Sequence, residues 1–583
     1  MKHPWLTSLL FLTSTLVSSE NAVVQAQLAD DAIRQKEAAR VEMLRRITPS
    51  VVCVMSADAQ GGGSGVLISA DGYAISNYHV TGGTGPGLKC GLSDGKIYDA
   101  VLVGIDPTGD VALIKLLGRD DFSYASPGDS ETVQVGQEVV ALGNPFLLAA
   151  DFTPTVTYGI VSGTHRYQYP SGTFLEYTDC IQIDASINPG NSGGPLFDIE
   201  GRWIGINGRA SFEKRGRVNT GAAYAISVRQ VLLFVDHLRS GLIADHGRTE
   251  FTLETSSDGR VVVQQISEVS EARRRGLSPQ DEVLTFAGRA ISSANDFQNI
   301  LGIFPEGTRL PITWRNRDGV QTATIRLKPL HAFAKAPELP GQRKPPKQGD
   351  PRNPEEPPAP GLLPEQAPEP EVPEAVKALF EVRDGFANYA FNRMEKERSL
   401  KPLFAHIQSP SGEGAWILEV ATEKGDSGEL VISQEGAALT IGEKTWAIEA
   451  SNQKPEDDVS MMPGLLAASL QWHRLLNRRE EGFDDIVAFG STIHLPTQKR
   501  FRQIVTREGI RTARWYFDDS SPFPAALDVE ISEGVDEARI VFDGWTSGDI
   551  PHPGRIGTVL PTEEVVWLKV LKASKKQEGA GAQ

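Results

Sequence analysis

Cysteine is nearly absent, with only Cys53, Cys90 and Cys180 in 583 residues. An odd count excludes a closed disulfide framework and leaves at most one pair. Cys53 and Cys90 lie in apolar stretches, where a thiol serves as a small hydrophobe. Positive charge is also in deficit. Lys and Arg total 58 against 75 Asp and Glu, a net charge of −17, which argues against nucleic acid as a partner. Beyond the N-terminus no apolar run is long enough to span a bilayer as a helix. Ten histidines are scattered without metal-ligand spacing, so neither a metal nor another cofactor is expected. Of these, His406, His473, His494 and His552 read as ordinary surface residues.

What is present divides into several units, as the length allows. Residues 1–26 read as a secretory signal: Lys2 and His3 precede an apolar core from Trp5 to Val17, and Val24-Gln25-Ala26 supplies small residues for cleavage. An extracytoplasmic location, periplasmic or secreted, is therefore expected, with no membrane span after signal removal. Residues 27–48 are helical in pattern, with Ile33, Val41, Leu44 and Ile47 near one face. Residues 49–240 alternate short Val/Ile/Leu-rich strands with Gly, Asp and Pro turns, the pattern of an all-β double barrel. A strand-and-helix unit comes next over 242–330. Residues 331–373 are rich in proline, with too little apolar surface to fold, and read as an extended linker that tethers the last domain. Residues 374–572 alternate helical stretches with strands, predicting an α+β domain with an antiparallel sheet; its function is not legible. Residues 573–583 read as a disordered tail.

The most informative run is Ile187-Asn188-Pro189-Gly190-Asn191-Ser192-Gly193-Gly194-Pro195. Glycines on both sides of a serine permit backbone conformations a Cβ forbids, so N–H groups can converge beside the hydroxyl. The N–H groups of Gly190 and Ser192 are the candidates for such an oxyanion hole. A serine hydroxyl is a weak nucleophile and requires a base and an orienting acid. Upstream, Ser76-Asn77-Tyr78-His79-Val80 places a histidine after an apolar segment, and Gly109-Asp110-Val111 places an aspartate at the mouth of a strand. The order His79, Asp110, Ser192 is that of chymotrypsin, not of subtilisin or the α/β-hydrolases.

The segments Ser76–Val80, Gly109–Lys115 and Asp184–Leu196, with Gly143-Asn144-Pro145, Val156–Ser162 and Trp203–Asn207, resemble HtrA/Deg-family trypsin-like serine proteases over residues 47–330. That resemblance implies a chymotrypsin-like double barrel followed by an α+β PDZ domain. It also implies an endopeptidase acting on unfolded or misfolded proteins and peptides, with His79, Asp110 and Ser192 catalytic. Ser186 occupies the position that carries an aspartate in trypsin-type pockets; with Ile187 and Ala210 it implies a small or medium apolar P1 residue. Segments before the protease domain help assemble homotrimers in the family, and a helix lying on its own domain is the other reading of residues 27–48. An inactive binding scaffold and a chaperone-like protein are the alternatives to a working protease. In register with the family, the carboxylate-binding loop of the PDZ domain falls at Arg248-Thr249-Glu250-Phe251, where glycine is missing; Gly247, just before it, is the alternative turn residue.

Overall fold

A computed structural model describes residues 31–57, 62–82, 85–144, 151–168, 175–212, 219–335, 372–407, 414–450, 461–494, 499–532, 534–547 and 550–575, without the side chains of 209–212, 219, 220, 461, 462 and 494. The signal segment, residues 336–371 of the linker and the tail from 576 lie outside the described residues.

A helix over 31–47 (α1) leads into six strands: β1 (Val51–Ser56), β2 (Gly62–Leu67), β3 (Tyr73–Ser76), β4 (Gly87–Gly91), β5 (Ile97–Asp106) and β6 (Val111–Leu116). They close into a barrel in the order β1-β2-β3-β6-β5-β4. The period of two decides which side chains go where. Val52, Val54, Leu67, Ala74 and Ile114 make one apolar cluster, while their neighbours Val51, Val66, Ile75 and Leu113 join a second. That second cluster also holds Val140, Leu142, Phe197 and Ile206 of the next barrel, so both faces of these strands are buried. The next barrel contains β7 (Glu138–Gly143), β8 (Thr155–Gln168), β9 (Tyr177–Ile183), β10 (Pro195–Asp198), β11 (Trp203–Phe212) and β12 (Asn219–Ser227), closed as β10-β11-β12-β9-β8-β7. A short helix, α2 (Tyr78–Thr81), follows β3, and α3 (Val228–Arg239) leaves the second barrel, N-capped by the Ser227 hydroxyl.

The expected apolar face of α1 is seated only at its end. Met43 and Ile47 are buried and press on Gly201 of the second barrel, while Ile33 and Val41 stay exposed. The helix thus lies on its own barrel by its last two turns.

Residues 247–329 form a smaller unit. β13 (Gly247–Arg248) pairs with β20 (Lys328–Pro329). β14 (Phe251–Thr255), β15 (Val261–Ile266), β16 (Glu282–Phe286), β18 (Arg309–Asn316) and β19 (Gly319–Arg326) form one antiparallel sheet, with β17 (Arg289–Ala290) attached to β16. Helices α4 (Glu271–Arg274) and α5 (Ala294–Leu301) cover it, burying Phe286, Phe297, Ile312 and Trp314.

After the linker come α6 (Glu374–Lys377), α7 (Tyr389–Ala405) and α8 (Met461–Arg478), which accompany one antiparallel sheet of eleven strands. These are β21 (Trp416–Thr422), β22 (Ser427–Ile432), β23 (Gly436–Ile441), β24 (Lys444–Glu449), β25 (Asp485–His494), β26 (Lys499–Glu508), β27 (Arg511–Phe517), β28 (Pro524–Glu530), β29 (Ala538–Thr546), β30 (His552–Val559) and β31 (Val565–Lys575). Leu466, Trp472 and Leu475 of α8 pack on Trp416, Leu418 and Trp515. His473 is a correction to the sequence reading: it is buried, 4.6 Å from the Trp416 ring, with its pKa pushed down to about 4 by desolvation. The last strand also runs three residues beyond the boundary expected for the tail.

The C-terminal unit is docked, which a tether alone does not require. Val376 and Phe391 join the cluster that holds Val101 and Phe234. Asn388 donates to the Leu102 carbonyl at 2.8 Å, and Asn392 to the carbonyls of Ser240 and Ala488 at 2.8 Å each. Arg309 and Arg326 reach Glu537, and Arg326 also reaches Asp528, joining the smaller sheet to the eleven-stranded one. Proline content bears on the linker alone; it says nothing about whether the units on either side of it meet.

Candidate active site

Three connections carry the predicted residues where the two barrels meet. His79 sits in α2, immediately after β3; Asp110 lies in the turn between β5 and β6; Ser192 lies in the loop between β9 and β10. Asp110 adopts φ 59°, a left-handed conformation that aspartate tolerates better than most residues. The turn is pinned from several sides. The Asp110 carbonyl accepts from Asn77 Nδ2 at 2.8 Å and from the Tyr78 N–H at 3.2 Å, and Asp106 Oδ1 accepts the Gly109 N–H at 2.8 Å.

The Asp110 carboxylate is fully buried and faces His79 with both oxygens. Oδ1 accepts the His79 backbone N–H at 2.9 Å, and Oδ2 lies 2.7 Å from Nδ1. The orientation fixes Nδ1 as the protonated nitrogen of the neutral ring and leaves Nε2 as the basic one. Desolvation lowers the imidazole's pKa, but the charge and hydrogen bond of Asp110 outweigh it and hold the pKa above its ordinary value. Tyr78, beside the pair, is pushed up to about 12 by burial and then by the Asp110 charge, so its phenol stays neutral at working pH.

The Ser192 loop is built around positive-φ glycines, Gly190 at 101° and Gly193 at 84°. Close approach demands glycine at Gly193, where an added Cβ would lie 2.2 Å from the Ser64 carbonyl and 2.5 Å from Ser76 Oγ. The loop is tied to the first barrel by Ser64, whose N–H donates to the Ser192 carbonyl at 2.8 Å and whose hydroxyl donates to the Gly190 carbonyl at 2.6 Å. Gly193 N–H and Asn207 N–H exchange bonds with the Asn207 and Gly194 carbonyls at 2.8 Å. Among the described residues, the N–H groups of Gly190 and Ser192 carry no backbone hydrogen bond. A Cβ added at Gly63 would stand 2.8 Å from both the Ser192 carbonyl and Val80 Cγ2, so the serine loop and the end of the histidine helix converge on β2. The Ser192 hydroxyl donates to the Gly208 carbonyl at 3.3 Å.

Of the predicted pocket residues, Ser186 is exposed and Ile187 is buried among Ile183, Ala185 and Leu196 in the second barrel. Ala210 lies on β11 with its side chain outside the described set. Spacing did not single out Tyr177, which donates its hydroxyl to Asp110 Oδ2. Nor did it give Ser64 or Gly208 a role; no motif marks them, because they act through tertiary contact alone. The cysteines are free and buried. Glu131, His165 and Asp179 could reach one ion, but the Arg289 guanidinium bonds His165 and Asp179 at 2.8 and 3.0 Å, and Arg229 pairs with Glu131.

Residues 63–206 match the trypsin-like peptidase domain family. A probable periplasmic serine endoprotease, DegP-like, from Chlamydia muridarum is 32% identical over 259 residues, covering 42% of this chain and 50% of that protein. Its namesake from Marinomonas sp. is 36% identical over 253 residues, 41% and 51% of the respective chains. The solved HtrA-type protease AlgW with tripeptide is 30% identical, over 50% of this chain and 96% of its own, with a TM-score of 0.41. The chain belongs to the HtrA/Deg family. It spans about half the length of the curated family members it matches. Among the described residues no helix is long and apolar enough to cross a membrane. His79, Asp110 and Ser192 follow one another along the chain in the order of the chymotrypsin-type serine proteases.

Proposed function

We propose that the protein is an extracytoplasmic serine endopeptidase that cleaves unfolded or damaged proteins through an acyl-enzyme. The observation that carries this reading is the fully buried Asp110 carboxylate bonded at 2.9 and 2.7 Å to the backbone N–H and Nδ1 of His79. In this reading Ser192 Oγ turns from the Gly208 carbonyl toward His79 Nε2, which takes its proton as the oxygen attacks the scissile carbonyl. Asp110 stabilises the imidazolium. The N–H groups of Gly190 and Ser192 receive the developing oxyanion, a contribution on the order of 3 kcal/mol per donor. His79 then protonates the leaving amine, and a water deprotonated by His79 releases the acyl group.

The periplasmic names of the family members and the N-terminal pattern support the location. The antiparallel sheet flanked by α4 and α5 supports reading residues 242–330 as a PDZ domain. With Ser186 in place of an acid, no carboxylate draws a basic side chain, and a small or medium apolar P1 is proposed. Profiling of cleavage sites on a denatured protein checks this; a preference for Lys or Arg contradicts it. A fluorophosphonate probe tests the nucleophile. Stoichiometric labelling, mapped to the peptide that contains Ser192 and lost on His79→Ala, is the expected result. Labelling elsewhere, or none with the folded protein, overturns the assignment.

A further inference from the structure

Asp110 Oδ2 is shared. It faces His79 Nδ1 at 2.7 Å and accepts the hydroxyl of Tyr177. His79 and Asp110 belong to the first barrel, whereas Tyr177 opens β9 of the second, so this bond runs from one barrel to the other at the His79–Asp110 pair. The crossing is reinforced next door, where the Glu176 N–H donates to the Thr108 carbonyl at 2.8 Å, in the turn that carries Asp110. The Tyr177 ring is buried in the cluster between the barrels.

Room for that ring is made at one position. A Cβ added to Gly208 would lie 2.6 Å from Tyr177 Cε1 and 3.1 Å from its hydroxyl oxygen. The first distance is below any real Cβ contact, and an aromatic ring held in a core cannot swing aside as a flexible side chain can. Gly208 also supplies the carbonyl that holds the Ser192 hydroxyl at 3.3 Å. One residue without a side chain therefore touches both the nucleophile and the group that fixes the acid.

We propose that Tyr177 is a positioning residue for the peptidase reaction, its hydroxyl holding the Asp110 carboxylate toward His79, with Gly208 as the position that admits its ring. This rests on the peptidase reading above. The physical reason is the cost of a buried carboxylate, which requires donors on each oxygen to stay ionised and oriented. Oδ1 has the His79 backbone N–H; Oδ2 has the imidazole and the phenol. The other titratable group at the pair, Tyr78, is pushed up to about 12 by burial and then by the Asp110 charge, so it adds no charge beside the carboxylate.

The test uses the full chain with Tyr177→Phe, which keeps the ring and removes only the hydroxyl, and a fluorogenic peptide cleaved by the wild type. A roughly tenfold fall in kcat at unchanged KM is expected, the size of one hydrogen bond to a charged group. The acid limb of kcat/KM should move up by about half a unit. Without the phenol the carboxylate is less satisfied opposite neutral imidazole than opposite imidazolium, so protonation of His79 gains. Gly208→Ala should give a comparable loss with the phenol still present, and the double variant little more than either alone. Should Tyr177→Phe fail to fold, Gly208→Ala is judged by the His79 titration and not by activity, because Gly208 also contacts Ser192. Titration of His79 by NMR on ring-labelled histidine reads the same shift without any cleavage. Unchanged kcat and an unmoved His79 titration in an otherwise active protein would overturn the proposal and leave the peptidase reading standing. A fall in kcat with His79 titrating as in the wild type would mean packing alone, and would overturn it too. Should the wild type cleave nothing, the peptidase reading fails, while the NMR titration still decides whether the phenol holds the pair.

Discussion

Replacing Glu537 by glutamine should uncouple the C-terminal sheet from the unit before it. Glu537 is almost fully buried and accepts from Arg309 Nη2 at 2.6 Å, Arg326 Nε at 2.8 Å and Arg514 Nη1 at 3.1 Å. Arg309 and Arg326 come from β18 and β19, whereas Arg514 and Glu537 belong to the eleven-stranded unit, so one carboxylate neutralises charge on both sides of the junction. Removing one partner of a buried ion pair costs about 3–5 kcal/mol, because the other charge is left uncompensated. Glutamine keeps an acceptor oxygen, and Arg326 keeps Asp528, so the lower end, about 3 kcal/mol, is expected. At about 2–4 °C per kcal/mol for domains of this size, the melting temperature should drop by roughly 6–12 °C. Burial raises the Glu537 carboxyl, but Arg326, Arg309 and Arg514 together hold it well below the usual glutamate range. For a depressed acid the stabilisation is complete above the unfolded value, about 4.3, and is lost as pH falls through the folded value. Scanning calorimetry of wild type and Glu537→Gln at pH 7 and in acid measures both. A difference below about 1 °C at pH 7, or one that grows in acid, would refute the reasoning.

The acid limb of kcat/KM should have its midpoint above the ordinary histidine value of about 6.5, since Asp110 raises His79; a midpoint below 6 in a pH–rate profile contradicts that assignment. His246 is wedged between the Gly302 carbonyl, 2.6 Å from Nδ1, and both oxygens of Asp106, 2.9 and 3.0 Å from Nε2, so both nitrogens donate and the ring is an imidazolium. Desolvation opposes this, but Asp106 holds the pKa raised; the stabilisation is full below about 6.5 and lost as pH rises through the folded value. Urea unfolding at pH 6 and pH 9 should therefore show His246→Gln costing more at the lower pH; equal costs contradict it. Truncation after Lys335 should destabilise the barrels by several kcal/mol, because it strips Val376 and Phe391 from their core, at about 1.5–3 kcal/mol for each side chain. A truncated protein that melts within about 2 °C of full length would show the docking to be weak.

Local rules made part of the molecule legible from residues alone. Ser192 between glycines, and His79 and Asp110 beside apolar strands, stand out because catalysis demands specific residue types in a specific order. The short apolar runs Val51–Ser56 and Val111–Leu116 give strands, though not the pairing of β3 with β6 that closes the first barrel. Tyr177 was invisible because its partner, Asp110, is 67 residues away and no spacing rule links them. His473 was misread for a similar reason: an isolated histidine in a helix carries no mark of the Trp416 ring that covers it. The docking of the last unit depends on Asn388, Arg326 and Glu537, polar residues that look like surface until their partners are placed.

The central claim is that Ser192 is the nucleophile of a peptidase. Degradation of a denatured casein by purified wild type and Ser192→Ala, matched for folding by melting temperature, tests it most directly. The account predicts steady fragmentation by the wild type and a loss of several orders of magnitude in the variant, the scale of removing a triad nucleophile. Cleavage by Ser192→Ala at a rate near that of the wild type would contradict it.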